Sequence, residues 1–335
     1  MSTKKKHSVL AADIGGTKTN LGLFIKGKTR PLPTALKSYA NRSASGIASL
    51  IADFIAEHPA DIRGACLGVA GPVEDGCCRI TNLPWRIREK DIQRQFQWSH
   101  VSLINDLAAT AAAIPFLSRR ERYTLNRARA QRNQNTALVA PGTGLGMALL
   151  LRQPKGYRWV ASEGGHADFA PANQEQTRLW HYLHRRFGHV SIERVLSGPG
   201  LYNIYKWLRD FENYPEPPRL AAQIRKHDPA RIITAAAFDE KEPLCLKSLH
   251  IFGSICGAVA GNLALTGLTT GGIYLGGGMA PKIFPKMKTQ DFMKSFVNKG
   301  RFRNLLEKIS VSVILNDKAA LLGAAAVALK MAPGK

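Results

Sequence analysis

A glycine-threonine turn between two short apolar runs occurs twice in the chain. The first copy is Ala12–Gly22 and the second is Ala140–Met147. Each copy predicts a strand, a glycine turn and a second strand. Backbone N–H groups in such turns can approach an anion closely, and the threonine hydroxyl adds a donor. Two such turns facing each other would grip a polyphosphate from both sides, which indicates a two-lobed phosphotransferase or ATPase.

Two other nucleotide-binding signatures do not fit the sequence. A P-loop needs a glycine, four residues and then Gly-Lys followed by Ser or Thr, and no such string occurs. A dinucleotide-binding turn would open a helix, whereas strand-like runs follow the glycines here. A glycine hairpin is often only a tight turn, so each copy taken alone leaves a purely structural role open.

Composition limits the class of protein. A length of 335 residues suggests about two domains. The net charge of +23 favours anionic ligands, but the basic clusters are dispersed and no nucleic-acid motif accompanies them, so no specific nucleic acid is expected. The five cysteines form no regular framework, which favours reduced thiols in a cytoplasmic protein. The basic start precedes too short an apolar run for an export signal.

One uncharged run, Ile251–Leu268, is long enough to be considered as a membrane helix. Its small residues recur at four-residue spacing, with Gly253, Gly257 and Gly261 on one face. That spacing favours a helix packed tightly inside the protein, and no membrane association is expected.

The pattern of apolar runs predicts a mixed α/β organisation. In the first third, the expected strands are Ser8–Asp13, Leu21–Ile25, Gly64–Ala70, Cys77–Ile80 and Val101–Asn105, and the expected helices are Ser45–Glu57, Arg88–Phe96 and Asp106–Ile114. After the polar connector Asn126–Asn135, the second unit opens with its own hairpin and turns mainly helical. Its expected helices are Gln174–Phe187, Gly198–Phe211, Arg219–Lys226, Arg231–Asp239 and Pro243–Thr266, followed by strands Ile273–Gly276 and Val311–Leu315 and helix Ala319–Lys330.

Several polar strings are candidates for chemistry. Asn105 and Asp106 end an apolar strand and start a helix, where open α/β sheets place ligands, although aspartate is also a good helix cap. Glu163–Pro171 places two acids and His166 around a glycine pair. Because a second histidine is missing, this loop suits sugar hydroxyls better than a metal ion.

Two more strings complete the set. Glu193 precedes the helix start at Gly198, so it binds a ligand or serves only as a cap. Gly276, Gly277 and Gly278 follow a strand and precede a helix, a turn that lets a flat ligand such as adenine approach the backbone or simply reverses the chain.

Together these strings resemble bacterial glucokinases of the proteobacterial type, within the actin and hexokinase superfamily. The resemblance runs nearly end to end. Its landmarks are Asp13–Thr17, Asn82–Trp85, Ile104–Asp106, Gly142–Gly146, Glu163–Pro171, Glu193–Gly200 and Gly276–Gly278. A neighbouring kinase family that includes repressors continues from the Glu-Gly-Gly-His string into a cysteine-rich zinc motif, which this sequence lacks.

The resemblance implies a two-lobed ribonuclease H-like (actin-like ATPase) fold, with mixed sheets flanked by helices and an interlobe cleft. It places a small α/β domain at residues 1–115 and 317–335 and a large α+β domain at residues 116–316. The implied reaction is phosphorylation of the glucose 6-hydroxyl by ATP with Mg²⁺, and a homodimer is expected.

The resemblance also assigns roles to individual residues. Asp106 is the implied general base and Asn105 a sugar ligand, while Glu163, His166 and Glu193 bind the remaining hydroxyls. Asp13 orients Mg²⁺ through water. The implied nucleotide ligands are Asp13, Gly15, Gly16, Thr17, Lys18, Gly142, Thr143, Gly144, Gly276, Gly277 and Gly278.

The sequence departs from the family pattern in two places. Asn20 stands where many relatives carry arginine, and Lys18 replaces a smaller polar residue and could supply the missing charge. The basic composition keeps polyphosphate open as an alternative phosphoryl donor. A kinase for another hexose and a sugar-binding regulator without turnover are the remaining alternatives.

Overall fold

The computed structural model describes residues 7–80, 83–154 and 156–332. The chain divides into two compact units. The first unit runs to Arg119 and includes the chain from Asn316 onward, and the second is Arg120–Leu315. Asn82, one of the sequence landmarks, lies outside the described residues.

The first unit is built on a five-stranded mixed sheet. Its strands are β1 (Ser8–Ile14), β2 (Lys18–Lys26), β3 (Pro31–Ala40), β4 (Ile62–Val69) and β7 (His100–Asn105), and a small hairpin adds β5 (Cys77–Arg79) and β6 (Arg86–Arg88). The strand order in the sheet is β3-β2-β1-β4-β7. The β1 and β2 strands are antiparallel, whereas β1, β4 and β7 are parallel. The carboxyl ends of these three parallel strands therefore share one edge of the sheet.

Among its described residues, the first unit has four α-helices: α1 (Ile47–Glu57), α2 (Glu89–Phe96), α3 (Asp106–Ala113) and the C-terminal α12 (Ala319–Met331). The C-terminal helix packs against α3, β1 and β4. A Cβ atom on Gly323 would overlap the carbonyl oxygen of Ala109, so only glycine allows this closeness between α12 and α3. The start of α3 carries Asp106, so this helix contact helps to fix its position.

The second unit contains a six-stranded sheet. Its strands are β8 (Arg122–Thr124), β9 (Thr136–Pro141), β10 (Leu145–Gln153), β11 (Gly156–Ser162), β12 (Gly272–Leu275) and β13 (Val311–Ile314). The strand order in the sheet is β11-β10-β9-β12-β13-β8. The β9, β12 and β13 strands are parallel. The glycine turns after β9 and β12 therefore lie at the same edge.

The helices of the second unit surround its main core. They are α4 (Gln174–Phe187), α5 (Gly198–Asp210), α6 (Pro218–Lys226), α7 (Pro229–Ala235, continued by a π turn at Ala236–Glu240), α8 (Pro243–Gly267), α9 (Ala280–Ile283), α10 (Gln290–Val297) and α11 (Arg303–Leu306). Among the described residues, α8 is the helix long and apolar enough to cross a membrane, but most of its apolar window is buried inside the unit. This burial is typical of a core helix, as its small-residue spacing predicted.

Several elements of the structure, among them β3, β6, β8, α10 and α11, were not predicted from the sequence. Strand β3 escaped prediction because Pro31 and Pro33 interrupt it, yet it is an edge strand, where proline is tolerated. Helix α10 is short, and it is held by contact with α8 rather than by caps of its own. All five cysteines lie among the described residues as free thiols, and four of them are buried.

Candidate functional site

Asp13 lies near the carboxyl end of β1, half-buried and held by its neighbour strand. The antiparallel register places Asn20 directly opposite Asp13. The Asn20 amide donates a 3.1 Å hydrogen bond to Asp13 Oδ2 and accepts a 2.6 Å bond from the Ser38 hydroxyl. Asn20 is therefore a buried residue that orients Asp13. From the sequence alone, Asn20 was noted only as a departure from the family pattern. The cross-strand pairing of the hairpin was the signal that could have revealed it.

The first glycine turn is braced by Asn41, a residue that sequence reasoning missed. Gly15 N–H donates to the Lys18 carbonyl at 3.0 Å. Asn41 donates its backbone N–H to the Thr17 carbonyl at 3.0 Å and its side-chain amide to the Gly15 carbonyl at 2.8 Å. Thr17 and Lys18 remain exposed, and Gly16 is half-buried. The turn is thus rigid, with an exposed hydroxyl and ammonium at its tip.

Asp106 begins α3 directly after β7. The Leu107 N–H is shared between Asn105 Oδ1 at 2.9 Å and Asp106 Oδ1 at 2.8 Å. Asn105 is the helix cap, and its amide also donates to the Gly71 carbonyl at 3.2 Å. Capping therefore falls to Asn105, and Asp106 needs only one of its oxygens for the helix. The carboxyl also accepts its own backbone N–H, and none of the described side chains is hydrogen-bonded to it.

The negative charge of Asp13 acts on the Asp106 carboxyl. Their strands, β1 and β7, flank β4, so both carboxyls lie at one sheet edge. Burial raises the pKa of Asp106, and the negative charge of Asp13 adds to this rise against the opposing Leu107 N–H bond. Burial also raises the pKa of Asp13, although the Asn20 hydrogen bond and the Lys18 charge oppose it. A cation or a proton at this edge would relieve both carboxylates.

The second glycine turn joins β9 to β10. Gly142 N–H donates to the Gly144 carbonyl at 2.8 Å, and the Gly142 carbonyl accepts the Gly198 N–H at 2.8 Å from the start of α5. The turn after β12 lies beside it, because a Cβ on Gly142 would be 3.8 Å from the Gly278 nitrogen. Gly277 has a φ of +73°, and a Cβ there would be 2.5 Å from the Pro141 carbonyl oxygen. The two turns thus form one backbone surface.

Two adjoining clefts open beside this surface. One, of about 520 Å³, is lined by Gly142, Thr143 and Gly278, and the other, of about 430 Å³, by Gly278 and Phe238. Asp228 and Lys282 line both clefts. Gly276 is instead buried and donates to the Val139 carbonyl at 2.9 Å.

The sequence offered no local signal for Asp228 or Lys282, which lie in segments far apart in the chain. Asp228 caps α7 by accepting the Ala230 N–H at 3.0 Å, and Lys282 belongs to the short helix α9. Both residues become candidates only when the fold brings those helix starts to the glycine turns.

Leu145, just after the second glycine turn, connects the remaining candidate residues. Its N–H donates to Glu193 Oε2 at 2.8 Å. On its other side, a Cβ on Gly165 would overlap the Leu145 carbonyl oxygen, so the loop that carries Glu163 and His166 lies directly against this residue. The structure therefore brings Glu163, His166 and Glu193 to one end of β10.

The loop side chains are available to a ligand. The Glu163 side chain is 92% exposed and that of His166 is 63% exposed, with 3.8 Å between Glu163 Oε2 and His166 Nε2. Asp168 pairs with His189 instead, with 2.9 Å between Asp168 Oδ1 and His189 Nε2. Among the described residues, no group of three or more His, Cys, Asp or Glu side chains could hold a metal ion.

Comparison with known proteins places these features in context. The family model named Glucokinase matches residues 10–331. A glucokinase from Nostoc punctiforme is 36% identical over 96% of this chain and 99% of its own length. A glucokinase from Shigella sonnei is 33% identical over 95% of each chain. A solved glucokinase from an Antarctic psychrotroph has a TM-score of 0.88 at 28% identity, covering 96% of this chain and 99% of that one. The match and the mixed, helix-flanked sheets confirm the predicted fold class.

Proposed function

The chain belongs to the glucokinase family, and we propose that it transfers the γ-phosphoryl group of ATP to the 6-hydroxyl of glucose, giving glucose 6-phosphate and ADP. The observation that carries this proposal is the half-buried Asp106 carboxyl at the edge of the first sheet. Its pKa is raised by burial, and none of the described side chains is hydrogen-bonded to it. A carboxylate with these properties is suited to accept a proton from a hydroxyl.

Asp106 is the proposed general base. A hexose hydroxyl is a weak nucleophile, so removal of its proton as the new O–P bond forms contributes roughly 10²–10⁴-fold to the rate. Positioning of the hydroxyl in line with the γ-phosphoryl group and stabilisation of its charge supply the remainder. Asn105 holds the start of α3 through its cap and presents an amide beside the base.

The sugar ligands in the second unit are Glu163, His166 and Glu193. Exposed carboxylate and imidazole groups can accept from and donate to several hydroxyls of one hexose. An analogue that lacks one hydroxyl would leave a polar group unpaired, which gives the site its discrimination. A kinase for another hexose would show this as a different order of preference among epimers.

The nucleotide ligands come from the glycine turns. We assign phosphate contacts to Gly15, Gly16, Thr17 and Lys18 of the first unit and to Gly142, Thr143 and Gly144 of the second. Gly276 and Gly277 shape the turn that presents Gly278 to the clefts. Asp228 and Lys282 line the same clefts and are further candidates for contacts with the nucleotide.

The residues present fit a bound Mg²⁺ at Asp13. This ion is commonly held in proteins by one or two carboxylates, waters and substrate phosphates, so a larger cluster of protein ligands is not required. Asp13 Oδ2 accepts from Asn20, and its other oxygen accepts none of the described hydrogen bonds. When bound, the ion would neutralise charge on the phosphates, and Asn20 would keep the carboxylate oriented toward it through water.

We also expect a homodimer and a cytoplasmic location.

A coupled assay of ADP release with ATP, Mg²⁺ and a panel of hexoses tests the reaction, with ³¹P and ¹³C NMR to locate the phosphate on the product. Phosphorylation of glucose at the 6-hydroxyl is the expected result. Preference for mannose or glucosamine would change the substrate, and turnover only with polyphosphate would change the donor. Sugar binding without turnover with any donor would contradict the assignment of an enzyme.

A further inference from the structure

A third cleft, of about 610 Å³, lies in the second unit between the start of α4, the middle of α8 and the end of α10. We call it the α4–α8–α10 cleft. Its polar and charged lining includes Glu175, Gln176, Lys247, Ser254, Ser295 and Lys299. None of its lining residues lines the two clefts beside Gly278. Its volume is within the range of small-molecule sites.

The close crossing of α8 and α10 fixes a lysine within this cleft. A Cβ on Gly257 would overlap the Phe292 carbonyl, and one on Gly261 would lie 2.5 Å from the Phe296 carbonyl oxygen. The same Cβ would be 2.8 Å from Cε of Lys299. The Lys299 stem therefore lies against Gly261, and its ammonium is positioned by packing.

The polar floor of the cleft has donors left over. Gln176 is 2% exposed, accepts the Ala172 N–H at 2.9 Å and donates one amide hydrogen to Ser254 Oγ at 3.3 Å. Ser254 and Ser295 share one hydrogen bond of 2.9 Å. Whichever serine donates, the other hydroxyl hydrogen has no partner among the described contacts, and neither has the second Gln176 amide hydrogen. Such unused donors near a buried floor favour a ligand rich in acceptors.

The charge of the cleft favours an anion. Lys247 pairs with Glu175 at 2.6 Å, which balances both side chains. Lys299 has no acidic partner among the described contacts, and burial lowers the pKa of its ammonium. Exposed Lys294 and exposed Asp291, both on α10, also line the cleft, and neither has a partner among the described ion pairs. A half-buried, unpaired ammonium is costly, and a bound anion would offset that cost.

From this arrangement we propose that the α4–α8–α10 cleft is a second binding site, separate from the nucleotide clefts, for a phosphorylated small molecule. A phosphate monoester carries nearly two negative charges and three acceptor oxygens, which match the ammonium of Lys299 together with the free hydroxyl and amide hydrogens. A carboxylate offers one charge and fewer acceptors. The lining carries four basic side chains, Lys247, Lys294, Lys299 and Arg303, against two acidic ones, Glu175 and Asp291, which disfavours a metal cation.

Calorimetric titration of the full chain with inorganic pyrophosphate tests the site, with glucose and a non-hydrolysable ATP analogue present at saturation to fill the proposed active site. Wild-type protein should bind pyrophosphate, and Lys299→Met should weaken that binding by about tenfold or more, the loss expected for a charge-assisted contact. Lys308→Met is the matched control, because it removes the same charge from an exposed residue outside the cleft. It should change binding by less than about twofold.

A second variant guards against a folding defect in Lys299→Met. Ser295→Ala removes only a hydroxyl and should also weaken pyrophosphate binding, with an unchanged unfolding temperature. Absence of binding to the wild type, or equal losses in Lys299→Met and Lys308→Met, would overturn the proposal. The titration measures binding without turnover, so its outcome is independent of whether the chain phosphorylates glucose.

Discussion

Replacing Gly144 by alanine should damage glucose binding through Glu193, although Gly144 belongs to a phosphate turn. A Cβ at this position would lie 2.6 Å from Glu193 Oε2 and 3.4 Å from its Cδ. Ordinary contacts are longer, so the carboxylate must move by roughly half an ångström or more. That movement breaks the 2.8 Å hydrogen bond from the Leu145 N–H. The contact is charge-assisted and contributes about 1.5–3 kcal/mol.

This free energy corresponds to a rise of about ten- to a hundredfold in the KM for glucose at saturating ATP. Gly142→Ala is the matched control, because a Cβ there meets its nearest atoms only at 3.8 and 4.0 Å. We expect its glucose KM to stay within about twofold of the wild type. Steady-state kinetics with each substrate varied in turn measures both variants. A glucose KM that rises equally in the two variants, or in neither, would refute the assignment of Glu193 as a ligand held by Leu145.

Three further predictions concern the edge that carries Asp106. Because the Asp13 charge helps to raise the pKa of Asp106, Asp13→Asn should lower that pKa, and an NMR titration of the Asp106 carboxyl should show its midpoint at lower pH. The pKa of Asp106 is higher in the folded protein than in the unfolded chain. As pH rises from the unfolded to the folded pKa, ionisation of Asp106 therefore lowers the free energy of unfolding, and the loss persists at higher pH. Asp106→Asn should therefore raise the unfolding temperature at pH 7, whereas Asp53→Asn on an exposed helix face should not. Gly323→Ala should push α3 from α12, lowering the free energy of unfolding by about 1–3 kcal/mol and reducing kcat, and an unchanged value of both would contradict the close helix contact.

The elements that carry strong local sequence signals were predicted correctly. The turn between β1 and β2 and the turn between β9 and β10 were predicted from glycines flanked by apolar runs. The start of α3 at Asp106 followed from an apolar strand that ends in Asn-Asp. These features depend on neighbours along the chain. The roles given to their side chains stay predictions, because they depend on ligands that bind at those turns.

The rest depended on tertiary contacts. Asn20 is identified as a partner of Asp13 only from the register of β1 and β2. Asn41, which holds the first glycine turn, directly follows β3, a strand that was not predicted because it contains two prolines. Asp228 and Lys282 reach the clefts because α7 and α9 start beside the glycine turns. The composition gives the net charge of the protein, but only the fold shows that Lys299 lies against Gly261 in the α4–α8–α10 cleft.

We propose that Asp106 removes the proton from the glucose hydroxyl during phosphoryl transfer from ATP. The most direct test compares kcat and the dissociation constant for glucose in the wild type and in Asp106→Asn, which keeps the size of the side chain. We predict glucose-dependent ADP release by the wild type and a fall in kcat of about 10²–10⁴-fold in the variant, with the structure retained and glucose still bound. A variant whose kcat stays within a few-fold of the wild type would contradict the account.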